Sequence, residues 1–274
     1  MSLFQSIILG ITQGLTEFIP VSSTAHLILV PWLFGWAFDE NARFVFDVLL
    51  QLGTLLAVIA YFWKDLWSIA RAMATDALKR RPFDSADARL GWLVGVATAP
   101  ALVIGLLFKR FFESLHHNPG VVAGILLGAA ALLFASEQVG RRRRALTDLR
   151  WQDALVIGCS QALALLPGVS RSAATISGGL VRDLERPAAA RFSFLMSIPV
   201  MLGAGAVAVK DLLELPNFTA YIPSLLLGGL AAAVVGFLSI RWLLGYLARH
   251  SMNAFAWYRL AFGLFCLAIF FIRG

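Results

Sequence analysis

The chain has 274 residues, of which 59% are hydrophobic and 14% charged, whereas soluble domains carry about 25% charged residues. With a mean hydropathy of +0.78 it lacks the polar surface to cover a water-exposed globule, which excludes a soluble fold and predicts an all-α polytopic membrane protein with one membrane domain over 1–274. The net charge of +7 invites a nucleic-acid reading, but the basic residues stand between apolar runs, as topology anchors do, so no nucleic-acid partner is expected.

In chain order, residues of about 3–35 form an apolar stretch interrupted at its middle by Pro20 and the hydroxyls of Ser22, Ser23 and Thr24. The runs 44–63, 90–108 and 119–135 follow, each long enough to cross about 30 Å of hydrocarbon. The stretch 152–181 is interrupted like the first, by Pro167, Gly168, Ser170, Arg171 and Ser172. The runs 192–209, 222–240 and 254–272 complete a set of six transmembrane helices. The two interrupted stretches read as re-entrant helical hairpins, a form tolerated at membrane depth only when buried in protein or lining a wet cavity.

Loops 64–89, 136–151, 182–191 and 241–253 hold sixteen Lys and Arg, and the opposite set (36–43, 109–118, 210–221 and 273–274) holds five. This bias predicts the first set to be cytoplasmic and both termini periplasmic. The first hairpin then opens outward and the second inward, giving an inverted-topology repeat of about 1–135 and 150–274. The Arg141–Arg144 run between them reads as a topology anchor rather than a lipid-headgroup patch. The apolar N-terminus lacks a basic leader and carries Gln13 and Glu17 where a cleavage region would lie, so no cleavable signal is expected. His116 and His117 are adjacent and share no helix face, which argues against a metal site. Cys159 and Cys266 have no metal-like spacing and read as reduced packing residues. Gly203, Gly205, Gly228 and Gly229 permit close helix packing, within one chain or in a homodimer.

The two hairpins resemble each other. Gly10, Gln13, Pro20 and Ser22 in the first match Gly158, Gln161, Pro167 and Ser170 in the second with a one-residue gap. Polar groups this dense inside a membrane mark a site, and paired interrupted segments point to a site between repeats. Taken alone, Ser22 and Ser170 read as N-caps. Together, two half-helix N-termini meeting near the midplane make an anion site. Arg171 offers a planar fork for phosphate, or an ion pair for Glu17. Gln13 and Glu17 share a helix face at i, i+4, and so do Ser23 and His26 at i, i+3. A four-residue turn brings Glu17 toward Ser23. A hydroxyl, a base and a cation are the parts of nucleophilic catalysis, with Glu17 or His26 accepting the proton. Gln51, midway along a span, is assigned to the site, and Asp47 one turn earlier is left open. No P-loop and no H-E-x-x-H is present.

These motifs, together with the run from Ile176 to Gly179, Phe192 to Phe194 and the pair Tyr258-Arg259, resemble the undecaprenyl-diphosphate phosphatase family, also called bacitracin-resistance proteins, over nearly the whole chain. The resemblance implies an inner-membrane enzyme that hydrolyses undecaprenyl diphosphate to undecaprenyl phosphate and inorganic phosphate. That activity recycles the lipid carrier for peptidoglycan and other cell-wall polymers. The resemblance also implies a site facing the periplasm and a divalent cation, Mg²⁺ or Ca²⁺. Family members carry Glu or Gln at position 13. With Gln13 the ion would rely on Glu17 and the substrate's own phosphates, an ordinary arrangement for Mg²⁺. The expected catalytic residues are Ser23, Glu17, His26 and Arg171. The expected substrate-binding residues are Ser22, Thr24, Gln13, Gln51, Gly168, Ser170, Ser172 and Thr175. Ser22 or a water molecule could replace Ser23 as nucleophile. A transporter or flippase for a lipid phosphate or another anion is the competing class; it needs the anion site but no positioned nucleophile and base.

Overall fold

In the computed structural model the chain is described over residues 2–36, 40–108, 111–112, 115, 118–214 and 218–273. His116 and His117 fall outside the described residues. Eleven α-helices and two short 3-10 turns make up the regular structure among the described residues. In chain order the helices are α1 (Leu3–Phe18), α2 (Ser23–Leu33), α3 (Glu40–Tyr61), α4 (Trp63–Leu78), α5 (Ala86–Leu107), α6 (Pro119–Gln138), α7 (Trp151–Leu163), α8 (Arg171–Val181), α9 (Arg186–Glu214), α10 (Ile222–Leu247) and α11 (Asn253–Arg273).

Five helical stretches are long and apolar enough to cross a membrane: Ala86–Leu107, Pro119–Gln138, Arg186–Glu214, Phe218–Leu247 and Asn253–Arg273. The chain is a multi-pass membrane protein. A sixth candidate is broken, because α3 turns by 76° into α4. The sequence reading made 64–89 a loop, and the structure forms α4 there. Lys64, Asp65, Arg71 and Asp76 lower its apolar average, yet its residues still helicise, with Trp63 and Trp67 stacked one turn apart at 6.5 Å. Elsewhere the apolar faces look outward. Leu226, Leu230, Val234, Leu238 and Trp242 recur every fourth residue on α10, and each is more than half exposed. A stripe of that length would be an aggregation hazard in water and is a solvated face in hydrocarbon.

The interior is built by matched packing. α1 lies along α10, and α7 lies along α5. α3 packs against α9, and α6 pairs with α11. Glycines set the closest approaches. A Cβ on Gly10 would strike the Gly228 carbonyl, and one on Gly158, at the matching place in α7, would strike the Ala97 carbonyl. Gly205 likewise makes room for Leu52, so these small residues serve packing within the chain. The main apolar cluster gathers Phe18, Val58, Phe62, Phe192, Phe194 and Leu243; Phe18 meets Phe194 edge-on at 5.2 Å. A smaller cluster of Ala25, Leu29, Val122, Leu126 and Cys266 supports α2. Cys266 is thus a packing residue as read, whereas Cys159 is free and exposed.

Two buried carboxylates tie the basic loops down. Glu137 accepts from Arg186 at 2.7 Å, from Arg142 at 3.0 Å and from the Met252 amide at 2.7 Å. Asp153, with no exposed side-chain surface, accepts from Arg144 at 2.6 Å and Arg182 at 2.7 Å. The Asp153 bond and nearby carboxylates hold the Arg144 guanidinium above its usual range. The arginine-rich linker is therefore an anchored strap.

Candidate active site

The site lies where the two interrupted stretches turn. α1 ends at Phe18, with Pro20 two residues on; α7 ends at Leu163, and the chain passes through Pro167 before re-entering a helix. Each second half-helix starts from a serine N-cap at positive φ. Ser22 has φ 77 and accepts from the Ala25 amide at 3.3 Å; Ser170 has φ 72 and accepts from the Ala173 amide at 3.2 Å. Serine rarely adopts that region, and such residues persist where their surroundings over-determine them. Gly168 is also left-handed, at φ 107, and a Cβ there would come within 2.9 Å of the Val122 carbonyl, so the turn requires glycine.

Glu17 is the hub. Its Oε2 accepts from the Ser23 hydroxyl at 2.6 Å and from Gln13 Nε2 at 2.9 Å. Its Oε1 accepts from Arg171 Nη2 at 2.6 Å, an ion pair that joins the two hairpins. Arg171 also reaches the Ser197 carbonyl at 3.4 Å and Met201 Sδ at 3.3 Å. The structure therefore brings Gln13, Glu17, Ser23 and Arg171 together, and the Glu17–Arg171 pairing raised from the sequence is formed. Charge-assisted bonds at these lengths are the strong ones. A carboxylate this close to a hydroxyl can take its proton, and the guanidinium beside it can meet developing negative charge.

The remaining candidates fall into three groups. Ser170 and Ser172 join their hydroxyls at 3.1 Å at the mouth of α8, and Thr24 stands in the first turn of α2. The first helical amide bonds in these half-helices come from His26 and Ala174. The caps engage Ala25 and Ala173, so the amides of Ser23, Thr24, Arg171 and Ser172 precede the bonded ladder and face outward along the dipoles. Thr175 is fully buried and turned to α9, where it meets the Ser193 hydroxyl at 2.6 Å. Gln51 gives its carbonyl to the Thr54 hydroxyl, and it is Thr54 that reaches Gln13, at 3.3 Å.

His26 is buried beside the site, with both ring nitrogens engaged. Nδ1 lies 2.7 Å from the Ser22 carbonyl, which can only accept, so Nδ1 carries the proton. Nε2 is then the acceptor for the Tyr258 hydroxyl at 2.7 Å. Of the two bases raised from the sequence, Glu17 is the one placed on the Ser23 hydroxyl. Sequence reasoning did not find Thr54, and it quoted Ser193, Tyr258 and Arg259 within the resemblance motifs without giving them a role. The available signal was an arginine inside a span, which membrane burial makes a functional candidate by default.

No group of three or more His, Cys, Asp or Glu side chains suited to a metal ion exists among the described residues. The acceptor that fits a cation is Gln13 Oε1, which is buried and has no hydrogen-bond partner among the described residues, next to the Glu17 carboxylate. That donor set suits an ion that also draws ligands from bound phosphate.

Comparison with known proteins identifies the family. The family model described as bacitracin resistance protein BacA matches residues 6–265. A protein of Chlorobaculum tepidum named undecaprenyl-diphosphatase is 44% identical over 272 residues, covering 96% of this chain and 95% of its own. Proteins of the same name from Moorella thermoacetica and Myxococcus xanthus are each 43% identical. The first covers 100% of both chains; the second covers 98% of this chain and 89% of its own. Turns, caps and pairings thus lie within a match that takes in nearly the whole sequence, and the chain belongs to the BacA bacitracin-resistance protein family.

Proposed function

We infer that the chain hydrolyses undecaprenyl diphosphate to undecaprenyl phosphate and inorganic phosphate. The observation that carries this reading is the Ser23–Glu17–Arg171 constellation: a hydroxyl 2.6 Å from a carboxylate that is itself 2.6 Å from a guanidinium. The diphosphate docks between the two half-helix N-termini. Arg171, the Ser170 and Ser172 hydroxyls and the leading amides of α2 and α8 hold it. Ser23 Oγ attacks the terminal phosphorus as its proton passes to Glu17. The bond to the bridging oxygen breaks, and undecaprenyl phosphate leaves with that oxygen. Glu17 gives that proton up to solvent. Water then attacks the phosphoserine and passes a proton to the Glu17 carboxylate, the bond between phosphorus and Ser23 Oγ breaks, Glu17 returns the proton to Oγ, and inorganic phosphate departs. The leaving group is a phosphate monoester, so neutralising charge matters more than protonating it. A bound Mg²⁺ or Ca²⁺ would shield the phosphate oxygens, with Gln13 Oε1 and Glu17 as the side chains that hold it. Attack by water with Ser23 only positioning it uses the same base.

Six spans and two re-entrant hairpins, related as inverted repeats of about 1–135 and 150–274, are the topology we adopt. Matched glycine contacts at Gly10 and Gly158 and the matched positive-φ caps support it. The Lys and Arg bias supports an inner-membrane orientation with both termini and the reacting groups toward the periplasm. An apolar groove of about 250 Å³ between α6, α7 and α8, with Val169 and Ala173 in its wall, backs onto the second turn and suits part of a lipid tail. A carrier needs no serine bonded to a carboxylate, so the enzyme reading is favoured over a flippase. The test is phosphate release from undecaprenyl diphosphate by purified protein, with and without Mg²⁺, beside Arg171→Ala and Ser23→Ala. Release that vanishes in both variants is expected. Near-normal turnover by Ser23→Ala would exclude it as the obligatory nucleophile.

A further inference from the structure

The two strained turns of the site are gripped from outside by neighbouring residues of one helix. We propose that Tyr258 and Arg259 of α11 are positioning residues for the phosphate site, Tyr258 fixing the first turn through His26 and Arg259 fixing the second directly. The inference rests on the hydrolase reading above.

A serine at positive φ needs more than its own cap to stay there. At the first turn, the Tyr258 hydroxyl donates to His26 Nε2 at 2.7 Å, and His26 Nδ1–H donates to the Ser22 carbonyl at 2.7 Å. Two hydrogen bonds in series thus run from α11 to the backbone of the residue that caps α2. The imidazole is also stacked on Phe262 at 4.6 Å, nearly parallel, so its plane is fixed. With both nitrogens occupied, the ring acts as a strut between α11 and the turn beside Ser23.

At the second turn, Arg259 Nη2 donates to the Gly168 carbonyl at 2.7 Å and the Val169 carbonyl at 2.9 Å. These are the two residues that precede the Ser170 cap. Arg259 has no exposed surface, and its Nε and Nη1 have no hydrogen-bond partner among the described residues. A buried cation in that condition is expensive, and an apolar side chain of similar volume would pack without the penalty. Packing therefore does not account for an arginine here. Holding two carbonyls of a left-handed turn does, and the charge it leaves under the N-terminus of α8 is balanced when phosphate arrives. Because the two residues are consecutive, the distance between Ser23 and Arg171 is referenced to one rigid helix.

The experiment uses the full chain purified in detergent as Tyr258→Phe, Arg259→Met and Arg259→Lys. Leu264→Ala, a change on the exposed face of the same helix, is the control. Turnover is measured as phosphate release from undecaprenyl diphosphate. Vanadate binding, read as thermal protection, reports transition-state geometry without turnover, and the melting temperature alone reports structure. Tyr258→Phe is expected to lower kcat about tenfold, with KM within about twofold, and to weaken vanadate binding in proportion. Arg259→Met is expected to lose about a hundredfold, with Arg259→Lys between it and the parent and Leu264→Ala unchanged. Variants that melt lower yet keep parental kcat and vanadate binding would overturn the proposal in favour of a purely structural role. If Arg259→Met does not fold, Tyr258→Phe, which loses one oxygen, decides alone. Absence of phosphate release from the parent would sink the hydrolase reading instead, and vanadate binding would still test the brace.

Discussion

Replacing Glu17 by Gln keeps the size of the side chain and removes the charge on which three donors converge. Arg171 and Ser23 each lie 2.6 Å away, and Gln13 lies at 2.9 Å. Removing one partner of a buried ion pair costs about 3–5 kcal/mol. The Arg171 side chain keeps 16% of its surface exposed, so the lower end, about 3 kcal/mol, is expected as lost stability. The amide of Gln must also turn one N–H₂ toward the Ser23 side or the Arg171 side. Arg171 cannot accept, so the amide nitrogen faces Ser23, whose hydroxyl then accepts instead of donating. With its general base gone, turnover should fall by about 10²- to 10⁴-fold. Arg171, relieved of its counter-ion, should at the same time bind phosphate more tightly. Phosphate release from undecaprenyl diphosphate, with added inorganic phosphate as competitor, measures both effects on one sample. The expected result is a collapse of kcat with stronger phosphate inhibition. A folded variant with kcat within tenfold of the parent, or with weaker phosphate inhibition, would refute the assignment of Glu17 as base and counter-ion.

Three stability predictions follow from the same structure. Ser170→Ala removes the cap on the Ala173 amide and should cost about 1 kcal/mol; Ser170→Gly loses the same bond but relaxes φ 72, so it should melt above the alanine variant. Gly10→Ala and Gly158→Ala should each lose about 1–3 kcal/mol by driving a methyl into a facing carbonyl, whereas Gly124→Ala in α6, with open space around it, should melt at or above the parent. Glu137→Gln strands Arg186 and Arg142 at a side chain only 2% exposed, and because the two arginines keep 22% and 26% of their own surface the lower end of the buried-pair range, about 3 kcal/mol, is expected. Arg191→Gln breaks a pair whose side chains are 39% and 42% exposed and should cost about 1 kcal/mol or less; equal losses in the two variants would contradict the burial argument.

Much of the frame was legible in the chain. Proline and a hydroxyl cluster inside an apolar stretch signalled a break, and both breaks form beside Pro20 and Pro167. Proline alone does not decide it, since Pro100 and Pro199 lie inside α5 and α9, and it is the accompanying positive-φ residues Ser22, Gly168 and Ser170 that leave the helical path. The Gln13–Glu17 and Glu17–Ser23 contacts were legible because they are local, separated by four and six residues. Arg171 was readable as an ion needing a partner. What escaped was either long-range or averaged away. The Tyr258–His26 and Arg259–Gly168 contacts join residues 232 and 91 positions apart, and no local period encodes them. Helix α4 escaped because hydropathy averaging treats a charged helix and a loop alike. Thr175 looked like a ligand for phosphate by its motif position, but the face it presents is set by its packing against Ser193.

The two turns share a backbone and differ in charge. Four residues after Gln13 stands Glu17, and four residues after Gln161 stands Leu165. Two equivalent sets of backbone donors would not by themselves distinguish the terminal phosphate of a prenyl diphosphate from the one that carries the ester. The single carboxylate removes that degeneracy. On the proposed mechanism one end of the cleft holds a phosphate group and the other holds it and also cuts, so the direction of cleavage would be written as a difference between two copies of one turn.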